Sequence, residues 1–182
     1  ISGSNGTNGW YVSNVTVSPV AQDAESGVAL LEIKIDNEEW VKAEEVHTFF
    51  EGVHNYQIRA TDIAGNITES SIRTLKVDTI TPVINVSIKG VSGINGWYVS
   101  KVEVTSTAYD GNSGVSSLDF VVDAGVWEKY TSPLGFTDGV HTVKFRVTDY
   151  AGNVTETLSK EIKVDTYTPF VSLKIDGTSG FN

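Results

Sequence analysis

Apolar and polar residues alternate along much of this chain. Val143, Phe145 and Val147 are separated by Lys144 and Arg146, so the apolar side chains share one face and the charged side chains share the other. A period of two is typical of an antiparallel strand with one buried face. Gly, Asn, Asp and Ser clusters between such runs predict turns. No stretch has a helical period, and the pattern therefore predicts an all-β protein.

The pattern recurs with a fixed period. When the sequence is shifted by 87 positions without a gap, 43 of the 95 aligned residues are identical. A repeat of this length suits a small β-sandwich and not a helical solenoid. We expect three units: a first copy over residues 1–82 that lacks its first strand, a second copy over residues 83–169, and the first strand of a third copy over residues 170–182.

Within the second copy, alternation and turn signals predict a series of short strands that make two packed sheets. The predicted strands are 83–89, 97–99, 102–109, 117–123, 126–130, 133–136, 140–149 and 154–164. The linker between the copies is only residues 78–82. Its proline and β-branched residues restrict the backbone, which predicts a semi-rigid rod.

Composition narrows the possible partners. The formal net charge is −10 and the calculated pI is about 4.6, so an acidic surface disfavours nucleic acid and anionic membranes. The chain has no Cys and no Met, which excludes disulfides and thiolate chemistry and indicates a segment of a longer protein. We expect no membrane insertion in this segment and any export signal to lie outside it.

Each copy contains the motif Asp-x-Ala-Gly-Asn, which begins at Asp62 and at Asp149. One interpretation is turn chemistry, because Asp accepts hydrogen bonds from nearby amides and Gly and Asn tolerate positive φ. The alternative is a calcium site between the copies. Asp110 and Asp149 each end a strand, and in a sandwich we expect the loops after these strands to share the pole at which the linker residue Asp78 arrives. With Asn153 they would supply the oxygen ligands that Ca²⁺ prefers.

His54 and His141 occupy the same position of the repeat. No nucleophile or acid accompanies them in a catalytic pattern, so we expect them to shape a strand and expect no catalytic residues and no firm cofactor. The paired Trp10 and Trp97, and Trp40 and Trp127, could be sugar-stacking platforms, but their recurrence favours packing in or over the core of each copy.

The motifs form a specific series. It runs Asn-Gly-Trp-Tyr-Val-Ser, Ala-x-Asp-x-x-Ser-Gly-Val, Asp-x-x-x-Trp, Gly-Val-His, Thr-Asp-x-Ala-Gly-Asn and Val-Asp-Thr-x-Thr-Pro. The series resembles the bacterial immunoglobulin-like repeats found in tandem in large secreted and cell-surface proteins. The resemblance covers the whole chain and implies tandem immunoglobulin-like or fibronectin-type β-sandwich domains in an extracellular setting. Such repeats act as spacers in adhesins, cell-wall proteins and multidomain glycosidases.

The leading functional hypothesis is a non-catalytic stalk or surface-fibre segment whose partners are neighbouring repeats. The alternative is a carbohydrate- or protein-binding accessory module of a secreted glycoside hydrolase. Paired carboxylates for sugar hydrolysis would then lie outside this segment. A third expectation is head-to-tail self-association, in which residues 169–174 of one chain add a strand to the first copy of another.

Overall fold

The computed structural model describes residues 1–174 and 176–177, and in these residues every regular element is a β-strand. The all-β prediction is therefore confirmed. The strands are β1 (Trp10–Tyr11), β2 (Val15–Val17), β3 (Val28–Ile35), β4 (Val41–Lys42), β5 (His47–Phe49), β6 (Gly52–Asp62), β7 (Ile67–Glu69), β8 (Arg73–Val77), β9 (Val83–Lys89), β10 (Trp97–Tyr98), β11 (Val102–Tyr109), β12 (Val115–Val122), β13 (Glu128–Lys129), β14 (Leu134–Phe136), β15 (Gly139–Asp149), β16 (Val154–Glu156) and β17 (Lys160–Val164).

The two copies have the same main sheet. In the first copy the strand order is β1-β8-β6-β3-β4 with β7 added to β6, and in the second it is β10-β17-β15-β12-β13 with β16 added to β15. The short strands β1 and β10 pair parallel to β8 and β17, and the other pairs are antiparallel.

The facing sheets differ. The facing sheet of the second copy has three strands in the order β14-β11-β9, whereas that of the first copy consists, among the described residues, of β2 and β5 alone. Strand β11 therefore has partners on both sides, but β2 has a strand on one side and only the single bridge from Ser2 to Thr16 on the other.

Each copy has its own core between its two sheets, made by the apolar positions of the alternating runs. The first core contains Val15, Val17, Ile33, Phe49, Tyr56, Leu75 and Val77. The second contains Val102, Val104, Phe136, Val143, Phe145, Ile162 and Val164. Burying this apolar surface is the main favourable term for each sandwich.

Two details differ from the sequence-based expectation. The segment 154–164 is not one strand, because β16 and β17 are separated by residues that include the exposed Leu158. Among the described residues at the C-terminus, 170–174 make no strand, and the remainder of the predicted third-copy strand, residues 175 and 178–182, lies outside the described residues.

The described residues include no helix that is long and apolar enough to cross a lipid bilayer.

Candidate functional site: the junction between the copies

The linker acid Asp78 is completely buried where the first copy meets the second. Its amide donates to the carbonyl of Tyr11 at 2.9 Å, which extends the parallel pairing of β1 and β8 by one residue. Its Oδ1 accepts from the amide of Ile80 at 3.1 Å, and its Oδ2 accepts from the amide of Ser113 in the second copy at 3.0 Å. One carboxylate thus binds the linker and the next repeat together.

Asp110 follows β11 and Asp149 is the last residue of β15, and both organise the turns after these strands. Asp110 Oδ1 accepts from the amides of Asn112 and Gly114 at 3.1 and 2.7 Å. Asp149 Oδ1 accepts from the amides of Gly152 and Asn153 at 2.7 and 2.8 Å. Turn chemistry is therefore present in these loops.

These turns also bring three carboxylates together. One oxygen from each of Asp78, Asp110 and Asp149 lies within 4.8 Å of the others. Asp78 and Asp149 are buried, and Asp110 is half-buried. Among the described residues, no Lys, Arg or His forms a salt bridge with any of the three. The junction thus gathers negative charge that no described basic side chain neutralises.

Asn153, the fourth predicted ligand, lies at the same place. Its carboxamide nitrogen donates to the carbonyls of Asp78 and Ile80 at 2.9 and 3.3 Å, and to Asp149 Oδ2 at 2.9 Å. The nitrogen, not the oxygen, faces these acceptors, so Asn153 ties the linker to the second copy. All four residues of the predicted set therefore come together.

Sequence reasoning missed a second set of contacts across the junction. The amide and hydroxyl of Thr7 donate to the carbonyls of Ala151 and Tyr150 at 2.8 and 2.7 Å. Asn8 Nδ2 donates to the same Tyr150 carbonyl at 2.9 Å. A Cβ atom on Gly6 would lie 2.2 Å from the carbonyl oxygen of Ala151, so the two backbones approach too closely for any other residue.

A third contact set centres on Glu51. Its carboxylate accepts from the amide and the hydroxyl of Thr79 in the linker, with a hydroxyl distance of 2.7 Å. It also accepts from Asn112 Nδ2, which in turn donates to the carbonyl of Val77 at 3.1 Å. In the second copy Asp138 caps Thr166 in the same way. The recurrence of an acidic residue at this position is the sequence signal from which the threonine cap could have been predicted.

The first copy carries the equivalent acidic pair, Asp23 and Asp62, at its own N-terminal pole. Hydrogen bonds from the side chain and amide of Asn66 lower the pKa of Asp62, and nearby Asp23 opposes this shift. Amides of Gly27 and Ser26 lower the pKa of Asp23. These carboxylates are ordinary turn acids in a more open setting.

Each of the repeated histidines contacts an aspartate of its own copy. His54 Nδ1 lies 3.0 Å from Asp36 Oδ2, and His141 Nδ1 lies 3.2 Å from Asp123 Oδ2. The two aspartates are in the left-handed region, with φ of 53° and 54°, at the ends of β3 and β12. Each His–Asp pair thus links the turn after β3 or β12 to the neighbouring strand β6 or β15.

The tryptophans are not core residues, since neither core cluster contains one. The guanidinium carbons of Arg59 and Arg146 lie 4.4 Å from the ring centres of Trp40 and Trp127. Arg59 and Arg146 also pair with acidic residues of β3 and β12. The expectation that Trp40 and Trp127 pack in or over the core was therefore wrong. Each of these two indole rings covers an arginine on the sheet surface.

Sheet topology and cores place the protein in the class of all-β proteins with immunoglobulin-like sandwiches. Residues 81–166 match the sequence model of the bacterial Ig-like domain, which confirms for this segment the resemblance inferred from the motifs. A solved structure of fibronectin(III)-like modules of Clostridium thermocellum CbhA is similar over 96% of each chain, with a TM-score of 0.40 and 16% identity. No curated protein matches the chain.

Proposed function

We propose that this chain is a non-catalytic spacer of an extracellular or cell-surface protein, in which stacked Ig-like repeats hold other parts at a distance. The observation that carries the proposal is the junction. A linker of residues 78–82 is held by side chains and backbone groups of both copies, among them Asp78, Glu51 and Asn153. Such contacts restrict rotation between the copies, which a spacer needs.

Small-angle scattering tests the spacer proposal directly. We expect an elongated particle whose pair-distance distribution fits one relative orientation of the two copies, because the junction restrains them. A distribution that requires a wide ensemble of orientations, or a globular particle, would contradict the proposal. A variant with a Gly-Ser linker in place of residues 79–81 supplies the reference for free motion.

We also propose that the junction binds a divalent cation, with Ca²⁺ as the best fit. Two oxygens bound to one Ca²⁺ at about 2.3–2.6 Å are at most about 5 Å apart. The oxygens of Asp78, Asp110 and Asp149, which lie within 4.8 Å of one another, meet that limit. Buried carboxylates are costly unless they are paired or coordinate a metal. A rotation of the Asn153 carboxamide would add a fourth oxygen.

This site would couple cation binding to repeat orientation, since Asp78 comes from the first copy and Asp110 and Asp149 from the second. Binding to the folded junction alone stabilises it by about 2.7 kcal/mol when the cation is at 100 times its dissociation constant. We therefore expect Ca²⁺ to raise the melting temperature of the chain, and chelation by EGTA to reverse the rise.

The chain offers a matched pair of variants for this test. Asp149→Asn and Asp62→Asn disturb equivalent turns, in which the carboxylate accepts from an Asn four residues later. Only Asp149 belongs to the three-carboxylate cluster. Calorimetric titration is expected to show Ca²⁺ binding to wild type and to Asp62→Asn, and loss of binding in Asp149→Asn. Equal binding by both variants, or no binding by wild type, would remove the cation proposal.

A further inference from the structure

The N-terminal pole of the first copy, formed by Asp23, Glu25, Ser26, Ala64 and Asn66, is the equivalent of the surface on which the first copy docks in the second. The equivalent residues differ sharply in burial. Ala151 has no exposed surface at the junction, whereas Ala64 is exposed.

The pole retains much of the docking chemistry of the junction. Ser26, Ala64 and Asn66 are identical to Ser113, Ala151 and Asn153 in the second copy. The amide of Ser113 donates to Asp78 of the first copy, whereas the amide of Ser26 donates to Asp23 Oδ1 at 2.8 Å. At the first pole the Ser26 amide thus donates to the neighbouring turn residue Asp23, whereas at the second pole the equivalent Ser113 amide donates to the docked repeat.

One residue of the pole changes the chemistry that a partner must offer. Glu25 stands where the second copy has Asn112. Asn112 donates through Nδ2 to Glu51 and to the carbonyl of Val77. A glutamate has no donor at neutral pH. A carboxylate placed opposite Glu25 would therefore meet like charge instead of a hydrogen bond.

We propose that this pole docks an Ig-like repeat that carries Lys or Arg at the position of Glu51. This inference rests on the proposed stacking of repeats and adds the chemistry of the neighbour. The second copy is disfavoured as that neighbour, because Asp138 stands at the position of Glu51 and would face Glu25 and Asp23. The side chains at the positions of Glu51 and Asn112 thus determine which repeats can follow one another.

The intact junction of the full chain provides the test. Asn112→Glu reproduces the residue of the first pole opposite Glu51, and Glu51→Lys reproduces the proposed neighbour. We expect Asn112→Glu to broaden the range of repeat orientations seen by scattering and by residual dipolar couplings. Adding Glu51→Lys to it should restore a single orientation, with a coupling of about tenfold in the docked-to-undocked ratio.

The outcomes separate this inference from the spacer proposal. Glu51→Lys alone loses the Thr79 cap, so the rescue is measured against that single variant as well as against wild type. If wild type has one orientation but Asn112→Glu leaves it unchanged, or Glu51→Lys fails to restore it, the selection rule is wrong. If wild type itself lacks a preferred orientation, the spacer proposal fails first.

The pole can also be probed between molecules. We expect Asp138→Lys to raise end-to-end self-association in sedimentation experiments, since the introduced ammonium group of one chain would face Glu25 of the next. Asp138→Ala controls for loss of the Thr166 cap, and adding Glu25→Lys should abolish the gain. Self-association by Asp138→Lys no stronger than by Asp138→Ala would overturn the assignment of this pole.

Discussion

At the scale of single residues, turn aspartates do several jobs at once. Asp123 adopts a left-handed backbone, accepts from the amide of Thr142 at 2.7 Å and contacts His141. These partners, the Thr142 amide first, hold the pKa of Asp123 below its usual value of 3.8. In Asp36 the imidazole of His54 is the leading cause of the lowered pKa. Turn aspartates therefore both connect strands and make the stability of the fold depend on pH in the acidic range.

We predict that stability falls as the pH drops below about 3.8, because the lowered pKa values favour the folded state only while these carboxylates are charged. The contribution is complete above the unfolded-state pKa of 3.8 and is lost as the pH falls through the lower folded-state value. Asp123→Asn keeps a residue that tolerates left-handed φ but removes the charge. The difference in melting temperature between wild type and Asp123→Asn should shrink between pH 5 and pH 2.

The control for that experiment is Glu39→Gln, which removes an exposed carboxylate from the corresponding hairpin of the first copy. Its difference from wild type should change less over the same pH range. A constant difference for Asp123→Asn down to pH 2 would show that the Asp123–His141 turn does not link stability to protonation.

At the scale of strands, equivalent positions of the two copies contribute unequally to the packing of their cores. Phe145 in β15 is 1% exposed and packs edge-on against Tyr130 with ring centres 5.6 Å apart. The equivalent residue of β6, Ile58, is half-buried and lies at the margin of the first core. The second copy therefore depends more on this position than the first.

We predict that Phe145→Ala destabilises the second copy by about 3–5 kcal/mol, because it leaves a cavity in a closed core. Ile58→Ala should cost the first copy less, since part of that side chain already faces water. Chemical denaturation followed by methyl NMR can assign each transition to one copy. Equal losses from both substitutions would contradict the difference in packing.

Strand β2 supports the prediction of self-association by strand addition. Residues 170–174 are equivalent to the start of β9, which pairs with β11 in the second copy. Pro19 occupies the position of Ser106, whose amide donates to the Tyr130 hydroxyl and not to β9, so the missing N–H leaves that edge able to pair. A second chain could therefore add its residues 170–174 beside β2.

A matched pair of exposed residues tests this docking. Val171 corresponds to Ile84, which packs against the second core, whereas Leu173 corresponds to Val86, which is 39% exposed. We expect concentration-dependent association of wild type in sedimentation equilibrium, opposed by the charges of Glu25 and Asp138. Val171→Asp should abolish it and Leu173→Asp should reduce it less. A monomer at millimolar concentration would refute the prediction.

Strand periodicity made the fold predictable, and the location of repeated acids made the junction cluster predictable. Alternation around Phe145 identifies the buried face because a strand has a strict period of two. The contacts of Trp127 and Glu51 could not be predicted in the same way. Trp127 reaches Arg146 across β12, so its partner depends on strand register. Glu51 reaches Asn112, but the first copy has Glu25 at that position, so the repeat pattern does not predict this contact.

At the scale of the whole molecule, orientation of the two copies depends on a few short contacts in a strongly acidic protein. The net charge of −10 disfavours close approach of acidic surfaces, yet the junction places three carboxylates together. Backbone contacts such as Thr7 to Ala151 must therefore hold the copies against this repulsion when no cation is bound. Steric fit at Gly6 decides whether they can form.

We predict that Gly6→Ala opens the junction while both sandwiches stay folded. Its Cβ would lie 2.2 Å from the Ala151 carbonyl oxygen, and a backbone atom cannot yield as a flexible side chain can. Gly93→Ala is the matched control, because its Cβ would meet only its own copy, with Val99 nearest at 2.9 Å. Scattering should show a broad orientation range for Gly6→Ala and a wild-type profile for Gly93→Ala. If both variants keep the wild-type profile, the close backbone approach does not set the orientation of the repeats.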